Sequence, residues 1–465
     1  MVIFGVTGDL SQRKLLPALL DLYMKGMLPD PFRIVGFSRG PHTNETFRAF
    51  IKSAIEKKAH GHPLARVKAF LTNASYQQGF FEEANAYRNL ATFLATLDED
   101  FHICSNKLFY LAVPPSLYET IFKHLASSGL TIPCGPGEGW TRVLVEKPFG
   151  KDLNTATGLD NLLGTLFQEE QIFRIDHYLA KEAMQNILSF RFSNVLFEPI
   201  WNNRYIEKVV IKLFETLGME GRGAFYDDVG TLRDVGQNHM LQMLAFITME
   251  NPKVLEAGAV RKERSTILQF LKPIGEKEVG KVTVRAQYKG FKEEKSVSPD
   301  STTETYFRLE AHVEKERWEG VPFILESGKK MKETKTEITV FFKKTEACLC
   351  PPDAKKHHQN ILTFRIQPDE GISILFWAKK PGFLMELEPR HFSFSYLDSE
   401  NSKRLPDAYE RILYDCIKGD QILFTSTEEV AASWKFITPI LKHWRKTKLY
   451  QYEPGSDVEE IGDKN

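Results

Sequence analysis

The chain of 465 residues has few cysteines, and their pattern excludes two classes of protein. The five cysteines are odd in number and scattered, at Cys104, Cys134, Cys348, Cys350 and Cys416. Such spacing is not the framework of a small disulfide-stapled secreted domain, and it favours a reducing cytoplasm. The lone C-x-C at 348–350 has no second pair of ligands, so we predict no metal site.

Excess charge and long apolar runs are also missing. The 61 basic and 61 acidic residues cancel, so no overall field attracts nucleic acid or an anionic membrane, and a phosphate site would have to be local. No apolar run is long enough to span a membrane, and we expect no signal peptide, because the chain opens directly on an apolar strand. At about 100–200 residues per domain, the length predicts two or three domains.

A glycine-containing turn stands near the start of the chain. A short apolar run, Met1–Phe4, leads into the turn and a helical pattern follows it; the turn reads Gly5, Val6, Thr7, Gly8, Asp9 and Leu10. Gly5 and Gly8 would let the backbone approach a pyrophosphate, which the helix N-terminus would face. Because the spacing is G-x-x-G-x-L rather than G-x-G-x-x-G, a tight turn without a ligand stays open as an alternative.

The next strand, residues 33–38, ends at Arg39. In a dinucleotide fold this position lies beside the adenosine ribose, where an arginine accommodates the 2′-phosphate of NADP and an acid would bind the free hydroxyl of NAD. Thr7 would add a hydroxyl contact. The sequence therefore favours NADP over NAD, and a plain surface arginine is the alternative.

Alternating strand and helix patterns continue to about residue 175 and predict a parallel sheet covered by helices. Lys147 follows one of these strands, at the sheet edge where ligands bind, and is a candidate substrate ligand. Later segments are mostly strands close in sequence and predict a largely antiparallel sheet. We therefore expect a Rossmann-like α/β domain at 1–175 and an α+β domain for substrate binding and dimerisation at 176–465.

Polar residues crowd the exit of the strand that ends near residue 175. If the chain turns helical there, His177, Tyr178 and Lys181 project to one side. This cluster at a helix N-terminus suits a phosphate dianion. Asp176 points the opposite way and is free for another task. The alternative is a strand end with a solvated charge cluster.

A long helix predicted over residues 230–249 carries a candidate general base, His239. Asp234 lies five positions earlier, roughly 140° around a regular helix, and is a poor orienting partner. We select Asp176 for that role instead. A histidine satisfied within a half-buried helix is the alternative. Asp234 and Glu215 are the carboxylates that could accept sugar hydroxyls.

Motifs in this order and at this spacing resemble the glucose-6-phosphate dehydrogenase family, nearly from end to end. They read G-x-T-G-D-L at 5–10, E-K-P-F-G at 146–150, R-I-D-H-Y-L at 174–179 and R-D-V-x-Q-N-H at 233–239. The R-I-D-H-Y-L motif is very specific, whereas E-K-P also occurs in other sugar oxidoreductases. The resemblance extends to W-E-G-V-P at 318–322 and D-A-Y-E-R at 407–411.

The resemblance implies oxidation of glucose 6-phosphate at C1 to the 6-phosphogluconolactone by hydride transfer to NADP, with NAD as a secondary cofactor. This is the first step of the oxidative pentose phosphate pathway. His239 would be the general base and Asp176 its orienting partner. Substrate would be held by Lys147, His177, Tyr178, Lys181, Glu215, Asp234, Lys329 and Gln367. The cofactor would be held by Gly5, Thr7, Gly8, Asp9, Leu10, Arg39, Tyr110 and Lys147. The family implies a homodimer or homotetramer.

Some residues depart from the family pattern. Ala180 replaces a glycine, which forbids easy positive φ there. Ser327 and Thr339 stand where animal relatives carry arginines for a second NADP, so we do not predict that site.

Two other functions remain as alternatives. One is an oxidoreductase for an unphosphorylated sugar, and the other is an inactive NADP-binding regulator.

Overall fold

The computed structural model describes residues 1–135, 138–344, 358–397, 405–457 and 461, so Cys348 and Cys350 lie outside the described residues. The first half of the chain builds a parallel sheet in the spatial order β6-β5-β4-β1-β2-β3. Its strands are β1 (Val2–Phe4), β2 (Ile34–Ser38), β3 (Ala74–Gln78), β4 (Lys107–Leu111), β5 (Thr141–Val145) and β6 (Ile172–Ile175). The central strands β1 and β2 are fully buried and almost entirely apolar, as expected where helices cover both faces of a parallel sheet.

The covering helices follow the strands in sequence, as the alternating pattern predicts. They are α1 (Leu16–Met24), α2 (Asn44–Ala54), α3 (Glu56–Ala59), α4 (Leu64–Thr72), α5 (Ala84–Phe101), α6 (Tyr118–Ser127) and α7 (Leu153–Leu166). A π-helical turn, Ser11–Leu15, leads into α1. The carboxyl ends of the parallel strands therefore meet at one edge, where ligands bind in such sheets.

The second sheet has nine strands in the order β14-β13-β12-β11-β7-β10-β9-β8-β16. They are β7 (Ile206–Phe214), β8 (Thr283–Tyr288), β9 (Tyr306–Ala311), β10 (Phe323–Gly328), β11 (Lys335–Phe342), β12 (Ile361–Gln367), β13 (Gly371–Lys379), β14 (Leu387–Ser395) and β16 (Leu449–Tyr452). Only the β7–β10 and β8–β16 pairs of this described sheet are parallel. The expected fold class, a Rossmann-like sheet followed by a large, mostly antiparallel sheet, is confirmed.

Helices of the second half pack on both sheets. They are α8 (Glu182–Phe192), α9 (Gly223–Asp227), α10 (Leu241–Thr248), α11 (Ala257–Gln269), α12 (Glu276–Val282), α13 (Ala408–Lys418) and α14 (Thr427–Trp444). A short strand, β15 (Phe424–Thr425), pairs antiparallel with β6 and completes the first sheet. Trp434 of α14 donates its indole N–H to the carbonyl of Phe149, 2.8 Å away. The end of the chain thus returns to the first domain, and the division at residues 175/176 stays a prediction.

Cys104 and Cys134 are joined as a disulfide, with Cα atoms 6.4 Å apart. The cysteine count and spacing did not predict this pair, because its members are 30 residues apart in sequence. Cys416 is a buried free thiol. Among the helices of the described residues, none is both long and apolar enough to cross a membrane.

Candidate active site

A cavity of about 380 Å³ lies between the carboxyl edge of the first sheet and the second sheet. Seven of the residues predicted to handle the substrate line it: Lys147, His177, Tyr178, Glu215, Asp234, His239 and Lys329. Lys181 and Gln367 are bonded to each other, Nζ to Oε1 at 3.0 Å. The seven lining residues are separated by up to 182 positions in sequence, from Lys147 to Lys329, and the fold brings them to one place.

His239 and Asp176 form a buried pair beside this cavity. The Nδ1 atom of His239 lies 2.5 Å from Oδ1 of Asp176, and the side chains are 1% and 2% exposed. The backbone N–H of Tyr178 donates to the same carboxylate oxygen over 3.1 Å. A carboxylate at Nδ1 fixes the imidazole as the Nδ1–H tautomer and leaves Nε2 as a proton acceptor. The partner selected from sequence is the one the structure places there.

Burial sets the charge state of this pair. Burial lowers the pKa of His239 below its ordinary value of 6.5, against the opposing effect of Asp176. Burial acts to raise the pKa of Asp176, but the contact with His239 outweighs it, and the pKa lies below 3.8. At neutral pH the imidazole is therefore neutral and the carboxylate is charged, which is the state a general base requires.

The segment that holds Asp234 and His239 is π-helical over Leu232–Met240, not α-helical as predicted. In a π-helix the backbone hydrogen bonds join residues five apart, so Asp234 and His239 lie about one turn apart on the same side of the helix. Both side chains line the cavity. The 140° separation expected for a regular helix is wrong for this stretch. Asp234 still does not orient His239, because it is held by lysines.

Asp234 lies between Lys147 and Lys329. Lys147 Nζ donates to the carbonyl of Asp234 at 2.7 Å and to its Oδ1 at 3.1 Å. Lys329 Nζ lies 3.6 Å from Oδ2 and also pairs with Glu215. Burial acts to raise the pKa of Asp234, but the two lysines outweigh it and the net pKa is well below its ordinary value. The Asp234 carboxylate is thus a charged acceptor suited to sugar hydroxyls, and Glu215, which shares Lys329 with it, offers a second carboxyl group.

His177, Tyr178 and Lys181 lie in turns that precede α8 rather than on its first turn. Lys181 is the residue immediately before the helix, with φ −72° and ψ 140°. The expectation of a helix at 177–181 is wrong, because Leu179 and Lys181 donate their N–H groups to Asp176 and Tyr178 in local turns. The three side chains still cluster: the His177 and Tyr178 rings are 5.0 Å apart, and Lys181 Nζ lies 5.5 Å over the Tyr178 ring.

Burial lowers the pKa of His177 well below its ordinary value. The neutral imidazole offers one N–H, and an anion in contact with it would favour the protonated form. Ala180 is buried and has no positive φ, so the backbone there needs no glycine.

The predicted cofactor turn has the backbone that its glycines allow. Gly5 has φ +75°, and a Cβ there would lie 2.4 Å from the carbonyl oxygen of Ala112. Gly8 donates its N–H to the carbonyl of Gly5 at 2.9 Å. The side-chain amide of Gln12 donates a hydrogen bond to the carbonyl of Thr7 at 2.9 Å and stabilises the turn. The turn is therefore tight, lies at the end of β1, and brings backbone to the edge where the strands end.

Arg39 follows β2 and is exposed. Its carbonyl accepts a hydrogen bond from Gln78, 2.9 Å away, which fixes the turn. Within the described residues, no carboxylate pairs with its guanidinium. The side chain is thus available to an anion, and its guanidinium geometry suits phosphate.

A carboxyl group that sequence reasoning missed stands between the cofactor edge and the cavity. Glu146 accepts hydrogen bonds from the hydroxyls of Tyr110 and Tyr409. Burial raises its pKa to about 7. Tyr118 donates to the Glu146 carbonyl at 3.0 Å. Tyr110, predicted to touch the cofactor, is fully buried against Glu146, so in this arrangement it supports the strand end. The E-K-P motif was the available signal for Glu146.

Two family models match the chain and together cover nearly all of it. "Glucose-6-phosphate dehydrogenase, NAD binding domain" matches residues 2–186, and "Glucose-6-phosphate dehydrogenase, C-terminal domain" matches residues 188–463. The chain is 41% identical to the glucose-6-phosphate 1-dehydrogenase of Chlamydia muridarum, over 96% of this chain and 90% of that protein. It is 39% identical to the Bacillus subtilis enzyme, over 98% and 94%.

Solved structures agree. A glucose-6-phosphate dehydrogenase in complex with its substrate glucose 6-phosphate superposes with a TM-score of 0.90 at 34% identity, covering 98% of this chain and 94% of that one. The Mycobacterium avium glucose-6-phosphate 1-dehydrogenase superposes with a TM-score of 0.83 at 31% identity, with the same coverage. The chain belongs to the glucose-6-phosphate dehydrogenase family.

Proposed function

We propose that the protein oxidises glucose 6-phosphate at C1 to the 6-phosphogluconolactone, with NADP+ as hydride acceptor and His239 as general base. This is the first step of the oxidative pentose phosphate pathway. The observation that carries the proposal is the buried His239–Asp176 pair, which opens onto a cavity lined by cations and carboxylates. Family membership supports the reaction, and the geometry supports the assignment of residues.

His239 performs the proton transfer. Its Nδ1–H donates to Asp176, so Nε2 is free to take the proton of the C1 hydroxyl. Asp176 then stabilises the imidazolium that forms, because it remains a carboxylate beside it. When bound, NADP+ supplies the acceptor for the hydride that leaves C1 as the alcohol becomes the lactone carbonyl.

The phosphate and the sugar ring of the substrate would contact two different groups of residues. His177, Tyr178 and Lys181 are a local site for the phosphate dianion, with Gln367 fixing the Lys181 ammonium. On the other side of the cavity, Lys147, Asp234, Glu215 and Lys329 present alternating charges that suit the ring hydroxyls. Binding both ends fixes C1 relative to Nε2, and orientation of this kind contributes a large share of catalysis.

The residues present fit NADP. The close approach of Gly5 to Ala112 leaves room only for a bare backbone, as a pyrophosphate-binding turn requires. Thr7, Gly8, Asp9 and Leu10 continue this turn, and Arg39, free of carboxylates among the described residues, would hold the 2′-phosphate. Lys147 lies where the cofactor edge and the sugar site meet, and would contact both.

Steady-state assays of both cofactors with both sugars test the proposal. We expect turnover with glucose 6-phosphate and NADP+, weaker turnover with NAD+, and little with free glucose. Comparable efficiency on glucose would favour the rival oxidoreductase for an unphosphorylated sugar. Protein that binds NADP+ but turns over neither sugar would favour the inactive regulator, although such a protein would have no use for the His239–Asp176 pair.

A homodimer through the second sheet is part of the proposal, with a tetramer as the larger alternative. The edge strand β14 exposes Phe392 and Phe394, at 64% and 47%, and the hairpin before it exposes Phe383, Leu384 and Met385. Several large exposed apolar side chains in one part of a fold are typical of a protein–protein interface. No nucleic acid or membrane partner is proposed. The cytoplasmic location stays a prediction, which cell fractionation would test.

A further inference from the structure

The helix that carries Asp234 and His239 begins at Gly230, two residues before its π-helical stretch. Thr231, which is already helical, makes no side-chain capping bond to the helix. Free N–H groups at a buried helix start require acceptors from elsewhere. Here the acceptors come from Glu304, in the loop before β9. Its Oε1 accepts from the N–H of Leu232 at 3.0 Å, and its carbonyl accepts from the N–H of Thr231 at 3.1 Å.

Gly230 makes room for this carboxylate. It has φ +73°, and a Cβ there would lie 2.4 Å from Oε1 of Glu304 and 2.7 Å from its Cδ. Any side chain at residue 230 would therefore push the Glu304 carboxylate away from the helix. Glu304 itself is 5% exposed, so no water replaces it easily. A carboxylate is also the group that the positive end of a helix favours.

The neighbouring residue, Thr305, holds another part of the site. Its carbonyl accepts from the N–H of Lys329 at 2.9 Å. Tyr452 of β16 donates to the carbonyl of Lys329 at 2.7 Å, and its hydroxyl lies 3.0 Å from Oγ1 of Thr305. Two adjacent residues thus hold the helix with Asp234 and His239 on one side and the backbone of Lys329 on the other.

We propose that Glu304 is a positioning residue of this dehydrogenase, which sets the helix so that Asp234 meets Lys147 and Lys329 while His239 meets Asp176. The inference rests on the proposed function. It deepens that function by naming a residue outside the cavity that aligns the sugar-binding carboxylate and the base. A shift of about 1 Å in such groups can reduce turnover on the order of 10²-fold.

Burial raises the pKa of Glu304, whereas the Leu232 N–H and the charges of Arg233 and Arg285 act in the opposite direction. The backbone N–H of Glu304 itself also lowers that pKa. The cap needs only an acceptor oxygen at the position of Oε1, which a glutamine also supplies. This property allows the positioning role to be separated from a simple loss of stability.

The test compares E304A, E304Q and G230A with wild type in the full-length protein. For E304A we expect kcat/KM for glucose 6-phosphate to fall on the order of 10²-fold, through both a raised KM and a lowered kcat. The NADP+ dissociation constant should stay within about twofold, because the cofactor turn lies on the other sheet. E304Q should recover activity to within about threefold of wild type, because it keeps the hydrogen bond.

G230A should reproduce the kinetics of E304A by displacing the carboxylate instead of deleting it. Its matched control is G129A: Gly129 has φ +74° with no atom within 4 Å of the added Cβ, so it carries the same backbone strain without a collision. G129A should keep kcat/KM within about twofold. The double variant G230A/E304A should be no worse than E304A, because both changes remove the same contact.

The acid limb of the pH profile of kcat/KM adds a readout that a change in stability would not move. In E304A and G230A the His239–Asp176 contact is loosened. Because Asp176 raises the pKa of His239, the apparent pKa of the limb should move to lower pH in these two variants. In G129A it should not move. Should E304A fail to fold, G230A and E304Q still decide the question. Equal kinetics for G230A and G129A, or an E304Q as impaired as E304A, would overturn the inference. Wild type without turnover on glucose 6-phosphate would instead overturn the proposed function.

Discussion

At the scale of single residues, the site depends on charge states that burial and neighbours set together. His239 is neutral because burial lowers its pKa, and Asp234 is charged because two lysines outweigh its burial. Burial and different charged neighbours thus produce a neutral base and a charged hydroxyl acceptor five residues apart on one helix. Environments that separate the states of titratable groups in this way are typical of acid–base catalysis.

Replacing His239 by asparagine should remove the base and keep the shape of the cavity. We expect kcat to fall by about 10³–10⁴-fold, with the dissociation constant of glucose 6-phosphate nearly unchanged, because the phosphate cluster and the sugar carboxylates remain. Steady-state kinetics and equilibrium binding measure the two effects. H443N, which changes a histidine of α14, serves as the control, and near-normal turnover in H239N would remove His239 from this role.

The pH dependence tests the His239–Asp176 pair directly. Because the base acts unprotonated, activity is lost as pH falls through the pKa of His239, which lies below 6.5. Asp176 raises that pKa, so D176N should move the acid limb of kcat/KM to lower pH. The plateau should also fall, by about 10²–10⁴-fold, since the imidazole loses its orienting carboxylate. A limb that moves to higher pH would contradict the pairing.

Arg39 should decide between the two cofactors. Its guanidinium can bind a 2′-phosphate but has no equivalent group to bind in NAD+. We expect R39A to raise the KM for NADP+ by about 10–100-fold, the value of one charge-assisted hydrogen bond, and the KM for NAD+ by less than about threefold. Parallel kinetics with both cofactors measure the ratio, and an equal loss for both would show that Arg39 does not contact the 2′-phosphate.

At the scale of elements, the sequence predicted most strands, because period-two and continuous apolar patterns survive in isolation. It failed where tertiary contacts decide the backbone. Residues 177–181 form turns because Asp176 and Tyr178 accept their N–H groups, and residues 232–240 are π-helical where Lys147 and Glu304 bind the backbone. Glu304 and the return of β15 could not be predicted, since their partners are distant in sequence.

One fully buried ion pair joins two helices, and removing one of its partners should be strongly destabilising. Arg264 of α11 donates to Glu429 of α14 at 2.7 Å, and both side chains are fully buried. Glu429→Ala would leave a buried guanidinium without its counterion, so the free energy of unfolding should fall by about 3–5 kcal/mol. Chemical denaturation measures the loss. As the control, Glu119→Ala breaks the exposed pair with Lys123 and should lower the free energy of unfolding by less than about 1 kcal/mol. Equal losses in the two variants would show that burial of the Arg264–Glu429 pair does not add to its cost of removal.

At the scale of the whole molecule, the two sheets are tied by the end of the chain. The segment from α13 to α14 packs against the first domain, while β16 returns to the second sheet and positions Lys329 through Tyr452. The cavity therefore lies between two parts that cannot move independently without breaking buried contacts. This arrangement holds in place a cavity whose predicted substrate residues extend from Lys147 to Lys329 along the chain.

The exposed face of the second sheet gives the last prediction. Phe392 of β14 stacks on Phe376 of β13, with ring centroids 4.2 Å apart, and remains 64% exposed. If this face joins two copies, F392E should place two charges in an apolar interface and shift the protein towards monomers. Analytical ultracentrifugation measures the distribution. Phe80, 45% exposed on the first domain, provides the control F80E, which should leave the assembly unchanged. The F392E substitution should leave turnover per subunit within about twofold, because β14 lies at the sheet edge farthest from β10 and Lys329. A dimer as stable in F392E as in wild type would show that the interface lies elsewhere.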